Sequence, residues 1–212
     1  MSHGVHAVQH EVEHQLEHEK HGHGGGHDKP AAEKNNKKIA LLISVIALFL
    51  AFSETLGKSA QTAAISDNVE AANLWAFFQA KTIRRTLVET AAQQMTIESL
   101  AVTDAAAKAE MAKQAAFWKS EAARYRSEPS TREGSTELAA RAKEAEKKRD
   151  TALARYHHYE VASAAYQIGI VLASAAIITS MMVLVYVAAG LGVLGIIFTG
   201  IALFAPHAVH LF

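Results

Sequence analysis

The chain of 212 residues has no cysteine, which excludes a disulfide framework, thiol catalysis and cysteine-ligated metals. It has no charge excess either. Lys+Arg and Asp+Glu are both 21, so the formal net charge is zero. That balance argues against a nucleic-acid binder, whose phosphate contacts need a basic surface. Strand-type alternation of apolar and polar residues is missing throughout, and across 53–160 the only proline is Pro129. Residues 161–212 contain no Asp, Glu, Lys or Arg at all. What is present is uneven. Half the residues are hydrophobic, and eight of the 12 histidines fall within 1–38. A His-rich tail, a charged middle and an uncharged end do not make one ordinary soluble globule.

Residues 1–38 read as a tail. Gly22 and Gly24 to Gly26 lie among His21, His23 and His27, a composition that disfavours regular structure. Upstream, Val5, Val8, Val12 and Leu16 face away from His3, His6, His10, His14 and His18 at the spacing of an amphipathic helix of about four turns, but so few apolar residues leave a mobile tail as the expectation, turning helical on a partner, a metal or a lipid surface. Residues 39–57 then form the first expected transmembrane helix. Its apolar run is short for a span of about 20 residues, so Lys38 snorkels at one end and Glu54 sits near the other interface. The h-region of a signal peptide is the rival reading, but 38 residues are far too many for an n-region. An uncleaved signal anchor is expected.

Residues 58–165 are rich in strong helix formers. The stretch 127–136, SEPSTREGST, is a loop, with Ser135 or Thr136 as the expected N-cap of the next helix. Beyond it Leu138, Ala142, Ala145, Arg149, Ala152, Tyr156, Tyr159, Ser163 and Tyr166 recur at spacings of four and three, a heptad-like seam broken at Arg149. Its expected partner is the stripe Ile83, Leu87, Ala91 and Met95, in a helical hairpin or small bundle outside the bilayer. The uncharged end suits two spans, expected at 166–188 and 193–206 with a turn at Ala189 to Gly192 and a short end at 207–212. The seam enters the first of these without a proline, so one helix from about 135 to 188 is expected. Ala165, Gly169 and Ala173, and Gly195 with Thr199, form rows of small residues suited to close helix contact. The fold class is therefore an all-α membrane protein of three spans, with an Ala-rich helical hairpin between the first and second.

Two strings carry a resemblance. SETLGKSAQTAAISDNVEAANLWAFFQAKTIRRT at 53–86 and AEKKRDTALARYHHYEVASAAYQIGIVLASAAIIT at 145–179 resemble a bacterial membrane-protein family, domain of unknown function 4337. The resemblance spans roughly 34–211. It implies the same architecture and a bacterial inner-membrane location, and it supplies no activity or catalytic residue. The His-rich tail departs from the family.

Several residues are candidates for chemistry. His10-Glu11-Val12-Glu13-His14 matches H-E-x-x-H, but a short, Gly-tailed arm lacks the third ligand and rigid cleft of a metalloprotease. Weak binding of Zn, Ni or Cu by His10, His14, His18, His21 and His23 suits the spacing better, beside the bland alternative of a solvated arm. The tail's histidines would also gain charge as pH falls through about 6.5. Gly57-Lys58-Ser59 imitates the end of a P-loop but lacks the earlier glycine and the strand. Glu54 extends a small-residue face of Ala40, Ser44, Ala47 and Ala51, and an ionisable group there suggests function. The plainer alternative is an i,i+4 pair with Lys58. Three spans would bring Glu54, Lys58, His157, His207 and His210 to one membrane boundary, where a Glu54–His207 contact is conceivable. Trp75, Phe77, Phe78, Arg84 and Arg85 read equally as an interfacial anchor or as bundle packing.

No nucleophile–base pair stands out, so an enzyme is not expected. The leading expectation is a scaffold or interaction protein of the bacterial inner (plasma) membrane, N-terminus cytoplasmic. It would be homo-oligomeric through its Ala-rich helices, and an unidentified membrane or envelope protein is a further candidate partner. The second expectation is a metal- or proton-responsive regulator or transport accessory using the His tail and Glu54.

Overall fold

The computed structural model describes residues 29–209, with side chains from Asn35. The histidines of the tail, His10, His14, His18, His21 and His23, lie outside the described residues, as does His210. Four helices follow in order: α1 (Lys29–Ala101), α2 (Ala105–Arg126), α3 (Ser135–Thr179) and α4 (Met182–Phe204). No strand occurs among the described residues.

α1 is one unbroken helix of 73 residues, about 110 Å long. It has no interior proline and passes through Gly57 without interruption, so the expected boundary between the anchor and the hairpin domain is continuous helix. Its buried side follows a strict heptad of alternating threes and fours: Ile39, Ile43, Ile46, Leu50, Ser53, Gly57, and onward through Ala64, Ala71, Leu74, Lys81 and Ala92 to Ser99. The return chain covers that seam. At the far end α2 folds back on α1 through a three-residue link whose Asp104 caps α2, its carboxylate accepting from the Ala106 amide at 3.1 Å. Met111, Ala115, Trp118, Ala122 and Tyr125 form its inward stripe. After the loop at 127–134, α3 continues in the same direction beside the rest of α1. The expected α3 seam from Leu138 to Tyr166 is the buried one. Arg149 stays at its edge, its guanidinium donating to Asn68 Oδ1 at 3.3 Å.

The partner stripe differs from expectation. Leu138, Ala142 and Ala145 pack on Ala71 and Leu74, flanked by Trp75 and Phe78, whereas of the expected stripe Ile83 and Leu87 are each 69% exposed and Ala91 and Met95 are half-buried. The small-residue face of Ala40, Ser44, Ala47 and Ala51 is likewise exposed, because the heptad turns Ile39, Ile43 and Ile46 to α3 instead.

The expected turn at Ala189 to Gly192 is corrected by the structure. α3 ends at Thr179, Ser180 takes the left-handed conformation with φ 56°, and α4 starts at Met182. The uncharged segments alongside 39–53 are thus 161–179 and 182–204, rather than 166–188 and 193–206. The glycines of α4 serve packing. Gly192 faces Ile46, and Gly195 faces the ring of fully buried Tyr166. α3 lies between α1 and α4, and Ile46, Ala162 and Tyr166 form the cluster at their junction.

Lys81 sits at the joint between α2 and α3, among both carboxylates and rings. Lys81, only 6% exposed, places Nζ 3.6 Å from Glu128 and 3.8 Å from Glu133, and 5.5 Å from the ring centroids of Phe77 and Tyr125. The N-cap of α3 is Gly134, not Ser135 or Thr136. A Cβ there would come within 2.5 Å of the Glu128 amide nitrogen. Glu137 in the first turn reaches back, accepting from the Ser127 hydroxyl at 2.6 Å and the Glu128 amide at 3.2 Å. The Ser127 hydroxyl first, and the backbone amides after it, hold the Glu137 carboxyl below its ordinary value of 4.5. A carboxylate with a depressed folded value tightens the loop above its unfolded value and stops doing so as pH falls through the folded one. Hydrogen exchange of the Glu128 amide is therefore expected to keep its protection at pH above 4.5 and to lose it as pH falls below that value, and Glu137→Gln is expected to abolish that dependence.

Candidate functional site

The site grows from a change in side-chain size along the α1 seam. Past Leu50 the large aliphatics give way to Ser53, Gly57, Ala60 and Ala64, which let α3 approach closely. A Cβ at Gly57 would lie 3.3 Å from Tyr159 Cβ. Buried Ser53 donates its hydroxyl to the Tyr159 carbonyl at 3.1 Å, a polar tie where both helices leave their uncharged segments. Beside this contact a cleft of about 410 Å³ opens between the helices. Glu54, Lys58 and Gln61 line it from α1, and Tyr156, Glu160, Ser163 and Gln167 from α3.

Glu54 is exposed in this cleft and accepts from Gln167 Nε2 at 3.3 Å. Its bond runs across to α3 rather than along its own helix, while Lys58 lines the same cleft. His157 lies on α3 with Nδ1 3.7 Å from Glu160 and its ring against Tyr156. His207 is elsewhere, with Nε2 3.1 Å from Thr151 Oγ1. The Thr151 hydroxyl donates its single proton to the Lys147 carbonyl, so the imidazole is the donor in the His207 contact. The return of α4 brings His207 to the same end as Glu54, but the two side chains take different partners.

His158 is the residue that sequence reasoning left without a role. It is 1% exposed, and its Nε2 lies 3.0 Å from the Pro206 carbonyl, which only accepts, so the ring carries its proton there. This bond fastens the segment after α4 to α3. Nδ1 is buried without a partner, and the ring lies 6.1 Å from that of Phe198. The available signal was spacing. His158, Ala162, Ala165 and Gly169 recur at four, three and four on the α3 face toward α4, and His157 does not.

The aromatic group at 75–78 joins the bundle. Trp75 Nε1 donates to Glu146 Oε1 at 2.8 Å, and its ring meets Phe78 edge-on at 5.3 Å. Trp75 also lies about 27 Å along the helix from Gly57. Phe77 carries Lys81 over its ring, Arg84 is exposed, and Arg85 pairs with Glu89 at 3.8 Å. Among the described residues no group of three His, Asp or Glu is placed to hold a metal ion.

Fold and site define the class: an all-helical protein with three helices long and apolar enough to cross a membrane, and a polar cleft where two of them become charged. Residues 35–205 match the family described as Domain of unknown function (DUF4337), and the chain belongs to that family. No curated protein matches it, and no solved structure does.

Proposed function

We propose that this protein is an integral membrane scaffold of the bacterial inner (plasma) membrane, not an enzyme, and that it self-associates and holds a rigid helical stalk away from the bilayer. The observation that carries the reading is the continuity of α1. The helix passes from its apolar segment through Gly57 to Ala101 without a break, projecting about 66 Å beyond the cleft. Its inner seam is covered along that length by α2 and α3, which stiffens it. Lys34, Lys37 and Lys38 favour a cytoplasmic N-terminus, and Lys147, Lys148, Arg149 and Arg155 a cytoplasmic stalk; because the first helix usually dominates, the stalk and the segment after α4 are on this reading in the periplasm. A membrane or envelope protein is a candidate cargo for the stalk.

A second reading draws on the cleft, which sets the charges of Glu54 and Lys58 at the membrane boundary. There the protein is a metal- or proton-responsive regulator or transport accessory, with the His-rich tail as a second sensor for Zn, Ni or Cu. One experiment separates the two. The mass of the full-length protein is measured in nanodiscs at pH 7 and 5.5, with and without Zn. A fixed multimer under all conditions is the scaffold result. A monomer with no co-purifying partner overturns it, and a mass that switches with acid or Zn, and ceases to switch in Glu54→Gln or without the tail, transfers the assignment to the second reading.

A further inference from the structure

α1 carries a second heptad, on the side opposite its buried seam. Ile65, Ala72, Gln79, Thr86, Gln93 and Leu100 take one core position of the repeat, and Val69, Ala76, Ile83, Thr90 and Ile97 take the other. Nothing among the described residues covers it. Ile65 is 61% exposed, Val69 53%, Ile83 69%, Ile97 67% and Leu100 75%. From the structure we infer that this face is the surface on which a second copy of the chain docks in parallel, forming a coiled coil along the stalk.

Four observations select a second copy as the occupant. Insertion through the same three helices gives every copy in one membrane the same direction, so like residues meet at like heights. The register then puts β-branched Val69, Ile83 and Ile97 at the position where such residues favour two parallel strands. The positions flanking this face are nearly uncharged: Ser66, Asn68, Asn73, Ala80, Thr82 and Gln94, with Glu89 the only charge. A surface without like charges at its rim accepts a copy of itself without repulsion, whereas a partner chosen by charge would find little to read. Area agrees. Five large exposed side chains give this face an apolar surface of roughly the few hundred Å² at which a patch marks an interaction site.

This inference rests on the self-associating reading above and names its surface, and the absence of native cysteine makes it directly testable. In full-length protein in nanodiscs, Val69→Cys, Ile83→Cys and Ile97→Cys are each expected to form a disulfide with the same residue of a second copy. Glu70→Cys and Arg84→Cys, turned aside from the face, are expected to do so at least tenfold less. Ile83→Glu, at an exposed site, is expected to convert the multimer to monomer with helical content unchanged. A multimer that survives Ile83→Glu while the three face cysteines stay reduced overturns this surface and leaves self-association standing, with an envelope protein or lipid as the occupant of the face. A wild-type monomer overturns both. Cross-linking confined to Ile83→Cys, the midpoint of the face and so of an antiparallel pair, overturns the parallel arrangement.

Discussion

Gly195→Ala is expected to destabilise the protein by about 2–3 kcal/mol, read as a lower SDS midpoint in mixed-micelle unfolding. The methyl group would stand 2.6 Å from Cζ and 2.8 Å from Cδ1 of Tyr166. That ring has no free side to move into. It is 0% exposed, stacks on Phe49 at 6.2 Å between centroids, and places its hydroxyl 3.2 Å from Thr199 Oγ1. Its neighbours Ile46 and Ala162 are equally enclosed at the junction of α1, α3 and α4. Combining Gly195→Ala with Tyr166→Leu is expected to recover part of the loss, since the two changes act on one contact and do not add. A Gly195→Ala protein as stable as the wild type would mean that α4 does not seat against α3 at this register.

The second large effect is expected at the joint. Lys81→Ala removes the cation shared by Glu128 and Glu133 and leaves a cavity between the rings of Phe77 and Tyr125. Breaking a buried pair by removing one partner costs about 3–5 kcal/mol. Glu128 keeps Arg124 at 3.3 Å and Glu133 is half exposed, which sets the expectation near the lower end, about 3 kcal/mol. Lys81→Met, which refills the space with a polarizable chain against two rings, is expected to lose less than half as much. Urea unfolding with Trp118 fluorescence, together with proteolysis in the loop at 127–134, reads both variants. Equal losses for Ala and Met would show that the charge, not the packing, holds the joint.

The seam of α3 was legible in the sequence because its residues recur at regular spacing and include large ones, Leu138, Tyr159 and Tyr166. The seam of α1 was not, although it is longer and as regular. Beyond Leu50 it sets Ser53, Gly57, Ala60, Ala64, Asp67, Lys81, Arg85 and Ser99 among Leu74, Phe78 and Met95, and no hydrophobic count marks the small and charged members as interior. The stripe that such a count selects, Ile83 and Leu87, is on the outside. Size was the misleading cue between Ser53 and Ala71: close approach of α1 and α3 there needs small residues inward, while Ile65 and Val69 stay outward. The same physics explains the misplaced turn. Gly190 and Gly192 read as turn residues, yet Gly192 fits under Ile46 within α4. The real reversal rests on Ser180 in a left-handed conformation, without a glycine or proline to announce it. Of the site, Glu54 and Lys58 were legible as ionisable residues at the end of an apolar run. Gln167, the partner of Glu54, is 113 residues from it in sequence, and only the register of α1 on α3 brings it near.

If the apolar segment and the stalk of α1 are one rigid body, the distance between two points on the helix is fixed. Spin labels at Val45→Cys and Arg84→Cys, both exposed, report on the helix from within its apolar segment to well beyond the cleft. With the labelled protein diluted into unlabelled protein in nanodiscs, an unbroken α1 gives one narrow distance near 58 Å, from about 1.5 Å of rise per residue. A broad distribution, or a separation below about 45 Å, would place a hinge between the span and the stalk and contradict the account.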